Sequence, residues 1–160
     1  MTSKFQVHTS IEPHYPVKSE ILEKAALAAL DAVGVNGKIE LAVSVIGDRK
    51  MRALNKDFRQ IDAPTDVLAF PYSLDTGKPG EFISPPSEYL NLGDIVISYP
   101  QLMERAAKED TLVDEMAALL TIHGVLHILG YDHQDPHQAV EMEAIEDTLL
   151  NELYPLPGPL

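Results

Sequence analysis

The sequence predicts a single-domain α+β fold in which a small mixed β-sheet of about four strands packs against helices. Its length of 160 residues suits one compact domain with one hydrophobic core. Strand-like runs lie mostly in the first 100 residues, with helical patterns between them, whereas the C-terminal third is helical. An apolar fraction of 45% is ordinary for a globular protein and argues against a disordered chain.

The N-terminal part of the chain predicts one strand and two helices. Residues 4–9 alternate weakly and predict a short edge strand. Over residues 17–33 apolar side chains recur at three- and four-residue spacing, which predicts a helix that Gly34 ends in a left-handed cap. A short helix is expected over residues 48–59, with Asp48 as its cap.

Three further segments have the composition of strands. Residues 39–46 form a β-branched, nearly continuous apolar run. Residues 65–72 follow a turn at Ala63-Pro64, and residues 92–98 are again rich in isoleucine and valine. The proline-rich segment 73–91 is expected to be a surface loop within the one domain.

The C-terminal part predicts helices over residues 100–108, 112–129 and 136–154, followed by a frayed tail at residues 155–160. The last helix is expected to bury an apolar stripe, formed by Val140, Ile145, Leu149 and Leu153.

The formal net charge of −13 is concentrated in the last third of the chain. Residues 1–108 are nearly neutral, whereas residues 109–160 carry eleven acidic side chains and no lysine or arginine. A negative surface ordinarily disfavours nucleic acid, but this distribution leaves a near-neutral portion that a nucleic acid could approach. The acidic portion would help to hold a divalent cation.

The chain has no cysteine, which excludes disulfide bonds and zinc–thiolate sites and is compatible with the cytoplasm. Residues 1–16 contain no apolar stretch after Lys4, so no secretory signal is expected. The most apolar stretch, residues 116–129, is too short to span a bilayer and predicts a buried helix. We therefore expect a cytoplasmic protein without a membrane partner.

Three histidines carry the strongest functional signal. His123 and His127 are four residues apart on a predicted helix, so their rings project from one face. Gly130 permits a sharp turn that returns His133 to the same point. Three imidazole nitrogens leave one position of a zinc tetrahedron open, as in catalytic sites. We predict one zinc ion per chain on these residues.

The alternative is that the three histidines are core residues satisfied by hydrogen bonds, which would require three separate buried partners. Convergence on a metal is therefore the preferred interpretation. The other histidines lack such spacing and are expected at the surface: His8, His14 and His137.

The spacing HxxxHxxGxxH is the ligand frame of the metzincin metalloproteases. In those enzymes the first histidine is followed by a glutamate that acts as general base. Here that position is Gly124, which has no side chain to accept a proton. The chain therefore has the histidine spacing of the metzincins but lacks their general base, which disfavours peptide hydrolysis by the metzincin mechanism.

The segment HGVLHILGYDH closely resembles the zinc motif of the YbeY family of bacterial endoribonucleases. Residues 55–70, NKDFRQIDAPTDVLAF, resemble the family's N-x-x-[FY]-R…TDVLSF segment, and residues 92–98 resemble its LGDI-I-S strand. The helix that carries Glu141 and Glu143 is also similar. The chain departs from the pattern at Ala69, where serine is usual, and in the length of the 73–91 loop.

The resemblance implies a single-domain α+β endoribonuclease that binds zinc through the three histidines and hydrolyses single-stranded RNA. It further implies a role in 16S rRNA 3′-end maturation and ribosome quality control. The implied partners are rRNA, the small ribosomal subunit and its assembly proteins, with no DNA expected. The family's key arginine falls on Arg59.

An arginine near a bound ion suits phosphate chemistry, because its guanidinium matches the phosphate geometry and stabilises developing negative charge. Arg59 is therefore the candidate catalytic residue, and with Lys56 the candidate substrate-binding residue; an exposed arginine of no function is the alternative. Five basic residues form either a phosphate-binding helix face or an ordinary solvated surface: Arg49, Lys50, Arg52, Lys56 and Arg59.

Three aspartates near these motifs have less certain roles. Asp132 could orient a ligand imidazole or cap the following turn. Asp66 and Asp94 lie in or beside strands, where buried hydrogen bonds to loop amides are the expected role.

Two other functions are compatible with the sequence. One is a metallohydrolase of another substrate class, such as a peptidase, which Gly124 disfavours. The other is a non-catalytic ribosome-associated factor whose metal only stabilises the fold.

Overall fold

In the computed structural model, which describes residues 4–72 and 89–155, strands and helices alternate up to the third described strand, and only helices follow the fourth. The strands are β1 (Phe5–Ile11), β2 (Ile39–Ile46), β3 (Val67–Pro71) and β4 (Leu90–Ser98). The helices are α1 (Ser19–Val33), α2 (Asp48–Arg59), α3 (Tyr99–Lys108), α4 (Val113–Ile128) and α5 (Pro136–Leu153).

The four described strands form one mixed sheet in the order β1-β2-β4-β3. The pairs β1–β2 and β2–β4 are parallel, whereas β3 pairs with β4 antiparallel and lies at the sheet edge. This confirms the predicted α+β class and the small mixed sheet of about four strands.

The main core lies between one face of the sheet and helices α1 and α4. Alternate residues of β2 and β4 point into it, among them Val43 and Ile95, both fully buried. Helix α4 is buried on nearly all sides, because α1, α3, α5 and the sheet all contact it. Central placement of α4 explains why its sequence is apolar throughout rather than along one stripe.

A smaller core lies on the opposite face of the sheet, beneath α2. Met51 of α2 packs there with Leu68 of β3 and Val96 of β4. Helix α2 therefore packs on β3 and β4, and its last residue, Arg59, lines a cavity together with residues 65–69, which include the start of β3.

Each predicted element is present, and each of its ends lies within two residues of the predicted position. Gly34 ends α1 with a φ of 78°, which confirms the predicted left-handed cap. Asp48 does not cap α2, because Gly47 occupies the cap position. The Asp48 carboxylate instead accepts hydrogen bonds from Ser98 Oγ (2.7 Å) and from Gln101.

The apolar stripe predicted for α5 is wrong at Val140, which is 67% exposed. The buried residues of this helix are Met142 and Leu149. Most of the predicted 73–91 loop and of the 155–160 tail lies outside the described residues.

No single described helix has the length and hydropathy needed to cross a membrane. Helices α3 and α4 reach that threshold only as a pair, and the chain bends by 113° between them.

Candidate metal centre

The three predicted histidines meet at the C-terminal end of α4. One nitrogen from each of His123, His127 and His133 lies within 4.8 Å of the other two. The His133 Nδ1 atom is 2.9 Å from His127 Nε2. Three nitrogens bound to one tetrahedral zinc ion at 2.0–2.1 Å would lie about 3.3 Å apart. Small movements of these side chains would therefore suffice to hold one metal ion.

The turn after α4 brings the third histidine back to the first two. Gly130 adopts a φ of 102°, a backbone conformation that side chains disfavour. The N–H of Gly130 donates to His127 O (3.0 Å) and that of Tyr131 to Leu126 O (3.1 Å), so the helix ends with its last carbonyls satisfied.

Asp132 stabilises the turn that follows. Its Oδ1 atom accepts a hydrogen bond from the N–H of Gln134 (2.9 Å), and its carbonyl accepts one from Asp135 (3.2 Å). The sequence left two roles open for Asp132, namely orienting a ligand imidazole and capping the following turn. Its hydrogen bonds are those of a residue that caps the turn.

Burial, reinforced by the neighbouring His123 and His133, lowers the pKa of His127 below its ordinary value. Its ring is therefore neutral at neutral pH and keeps a nitrogen lone pair available. A metal ion requires that form of imidazole as a ligand.

Glu146 of α5 is a site residue that the sequence did not reveal. Its Oε2 atom lies 3.2 Å from His123 Nδ1, and its side chain is only 13% exposed. It follows Met142 by four residues and precedes Leu149 by three, so it lies on the buried stripe of α5. A carboxylate on a buried stripe was the signal available in the sequence, because such a group needs a partner.

A cavity of about 510 Å³ opens in front of the histidines. Arg59 and the three histidines all line it, together with residues 65–69 at the edge strand. Lys56 is exposed on α2 and is not among the lining residues. The structure thus brings Arg59, but not Lys56, to the cavity of the histidines.

The loop that follows Arg59 is tied back to α2. Asn55 is 1% exposed and donates from Nδ2 to the carbonyl of Ala63 (2.8 Å). The Asn55 carbonyl accepts a hydrogen bond from Ile61 (3.3 Å). These contacts fix the path between the end of α2 and the start of β3, which are two walls of the cavity.

The basic residues of α2 do not act as one set. Lys50 pairs with Glu12 (2.9 Å), and Arg52 makes a two-point contact with Asp62 through its Nε (2.7 Å) and Nη2 (3.2 Å). Pairing with Arg52 lowers the pKa of Asp62, which keeps this carboxylate charged. Within residues 4–72 and 89–155, the other basic residues of the cluster form no ion pair: Arg49, Lys56 and Arg59.

The two strand-associated aspartates differ in environment. Asp66 accepts hydrogen bonds from the N–H of Val67 (2.7 Å) and from Arg105 Nη1 (2.8 Å). The predicted hydrogen bond to a backbone amide is therefore present, but Val67 begins strand β3 and is not a loop residue. Asp94 is exposed, so the prediction of buried hydrogen bonding is wrong there. Its strand position places it on the sheet face opposite the main core. His8, His14 and His137 are exposed, as predicted.

Gly124 contacts the sheet and not open space. A Cβ atom at this position would lie 2.7 Å from Ile95 Cγ2 and 3.0 Å from Ile95 Cγ1. A side chain here would point at the sheet, whatever its chemistry.

Comparison with known proteins supports the resemblance seen in the motifs. A family model described as "Endoribonuclease YbeY" matches residues 8–154. A protein named Endoribonuclease YbeY from Chloroflexus aurantiacus is 37% identical over 147 residues, covering 91% of this chain and 94% of the relative. One of the same name from a Bradyrhizobium species is 39% identical over 139 residues, covering 86% and 80%.

Among solved structures, the solution structure of TM1509 from Thermotoga maritima is similar to this chain with a TM-score of 0.60. The likeness covers 93% of this chain and 89% of that one, at 23% identity. At this identity the likeness supports the fold.

Proposed function

This chain belongs to the endoribonuclease YbeY family, and from that premise we propose that it hydrolyses phosphodiester bonds in single-stranded RNA with one zinc ion held by His123, His127 and His133. The observation that carries the proposal is the shared cavity, which is lined by the three converging histidines and by Arg59. A three-histidine set leaves one metal position for a reactant, as catalytic sites do.

The bound ion would polarise a phosphoryl oxygen and activate water for attack. Arg59 has a separate task. This residue lines the same cavity, and a guanidinium can donate two parallel hydrogen bonds to phosphate oxygens. Negative charge that develops on the phosphate during cleavage would be stabilised by this group, so Arg59 is the proposed catalytic residue.

Lys56 is proposed to bind substrate beyond the cavity. It precedes Arg59 by three residues on α2, so the two side chains share one side of the helix. An RNA strand whose scissile phosphate contacts Arg59 would place a neighbouring phosphate toward Lys56. The position of Lys56 supports a secondary, electrostatic contribution of this residue to the affinity for RNA.

The RNA substrate proposed for the cell is the 3′ end of 16S rRNA, with a role in ribosome quality control. Family membership supports this proposal and, with it, the partners: the small ribosomal subunit and its assembly proteins in the cytoplasm. Accumulation of 3′-extended 16S rRNA in cells that carry only the His127→Ala protein would be the cellular readout.

The direct test compares wild type, His127→Ala and the matched control His137→Ala, whose histidine is exposed and outside the cluster. Metal content and cleavage of one RNA, single-stranded and in duplex, are measured for each. We expect one zinc per chain and single-strand cleavage in wild type and His137→Ala, and neither in His127→Ala.

Three results would contradict the proposal. RNA binding without cleavage at full zinc occupancy would indicate a non-catalytic ribosome-associated factor. Cleavage of peptides instead of RNA would indicate a metallohydrolase of another substrate class. Unchanged RNA cleavage by metal-free His127→Ala would place the activity elsewhere.

A further inference from the structure

The Glu146 carboxylate contacts one ring nitrogen of His123, which is one of the three converging histidines. Its Oε2 atom is 3.2 Å from Nδ1, and the two side chains are 13% and 28% exposed. A carboxylate accepts hydrogen bonds, so the contact requires the proton of the neutral ring to lie on Nδ1. The lone pair then lies on Nε2.

Placing Glu146 there has an energetic cost that its contact must offset. Glu146 is flanked along the buried stripe of α5 by Met142 and Leu149. Removing a carboxylate from water is unfavourable unless it is paired or hydrogen-bonded. Within the described part of the chain, His123 is the side chain that satisfies it.

We propose that Glu146 is a positioning residue for the metal: it fixes the tautomer and orientation of His123 so that Nε2 is presented to the ion. The inference rests on the proposed metal site. Metal-bound histidines commonly donate their second nitrogen to a carboxylate, which raises ligand basicity and orients the ring. Helix α5 thereby becomes part of the metal centre although it supplies no ligand.

The expected consequence is a loss of zinc affinity rather than of fold. Removal of such a partner typically weakens metal binding by about 10- to 100-fold. We expect Glu146→Ala to raise the zinc dissociation constant by that factor. Glu146→Gln should lie between Glu146→Ala and wild type, because its amide oxygen accepts the same hydrogen bond without the charge.

Glu143 provides the matched control, because it is exposed on the same helix and its substitutions change the charge identically. Zinc affinity is measured by competition with a chromophoric chelator for the Ala and Gln variants at both positions. Melting of the metal-free proteins separates a folding defect from a binding defect. If Glu146→Ala does not fold, the nearly isosteric Glu146→Gln still reports on the charge.

A second readout is specific to ring orientation. Imidazole nitrogen NMR of the metal-free wild type should show His123 as the Nδ1–H tautomer, and Glu146→Ala should lose that preference. A zinc affinity within threefold of wild type in Glu146→Ala, or an equal loss in Glu143→Ala, would overturn the inference. Wild type that binds no zinc would instead overturn the proposed function, so the two failures are distinguishable.

Discussion

Gly124 and Ile95 pack so closely that a Cβ atom on the helix residue would stand 2.7 Å from the Cγ2 atom of the strand residue. Ile95 is fully buried in the main core. The position that carries the general base in metzincins therefore faces the sheet in this protein. Because α4 packs closely on β4, residue 124 has no room for a side chain that could act as a base. The same close packing holds α4, and with it His123 and His127, against the sheet.

We expect Gly124→Ala to lower the free energy of unfolding by about 1 kcal/mol. The methyl group would gain roughly 1 kcal/mol of helix propensity. It would also overpack the core against Ile95, at a typical cost of about 1–3 kcal/mol. Overpacking should outweigh the propensity gain, because the contacting Cγ1 and Cγ2 atoms are both bonded to the branched Cβ of Ile95, whose side chain is fully buried.

A double-mutant cycle, with the free energy of unfolding measured by denaturant for each variant, checks whether Gly124→Ala is destabilising because of Ile95. In an Ile95→Ala background the contacting Cγ atoms are gone, so Gly124→Ala should become neutral or stabilising there. An equal loss in both backgrounds would show that the contact with Ile95 is not the cause.

The sequence predicts those parts of the site that depend on local geometry. His123 and His127 are at helical spacing, and the glycine after them allows the chain to turn back with His133. The three side chains were therefore expected to converge, and they do. Glu146 was missed because it lies 23 residues from His123, so their contact depends on how α5 packs on α4. Asp94 was assigned wrongly for a related reason: alternation places a strand residue on one of two faces, but only the packing of helices decides which face is buried.

We expect Arg59→Ala to reduce kcat for RNA cleavage by about 10²- to 10³-fold, the usual effect of removing one donor to a developing charge. Zinc content and folding should not change, because Arg59 is exposed and is not one of the three converging histidines. Arg59→Lys should recover only part of the loss, since an ammonium cannot donate two parallel hydrogen bonds.

Arg49→Ala is the control for Arg59, because it removes an exposed arginine from the other end of the same helix. Single-turnover cleavage of one RNA by all four proteins is the measurement. Full activity in Arg59→Ala would refute the catalytic assignment.

Asn55→Ala should destabilise the protein by about 1–3 kcal/mol. The side chain is 1% exposed, and its removal leaves the Ala63 carbonyl without the 2.8 Å hydrogen bond that it accepts. Activity should also fall, because the same bond holds the loop between Arg59 and β3. Asp57→Ala, exposed on the same helix, should change neither the unfolding midpoint nor cleavage, and a comparable loss there would contradict this explanation.

Gly93→Ala should be among the most destabilising single substitutions, with an expected loss of about 3 kcal/mol or more. Gly93 has a φ of 143°, which only glycine adopts readily, and a Cβ atom would lie 2.2 Å from the carbonyl oxygen of Phe70. Gly34→Ala is the matched control: its φ is 78°, but no atom would lie within 4 Å of the new Cβ. It should cost only the left-handed strain, about 1–2 kcal/mol. Equal losses would indicate that backbone strain alone, and not the contact with β3, determines the effect.

Zinc should stabilise the folded chain, because the three histidines proposed to bind it converge in the folded structure. A ligand at 100 times its dissociation constant adds about 2.7 kcal/mol to the free energy of unfolding. For a domain of this size that corresponds to a rise in Tm of roughly 5–10 °C. Chelation should reverse the rise in wild type and in His137→Ala, which retains the cluster. His127→Ala should melt at the same temperature with and without zinc, since it has lost a ligand. A zinc-dependent rise of normal size in that variant would mean that the ion binds elsewhere on the chain.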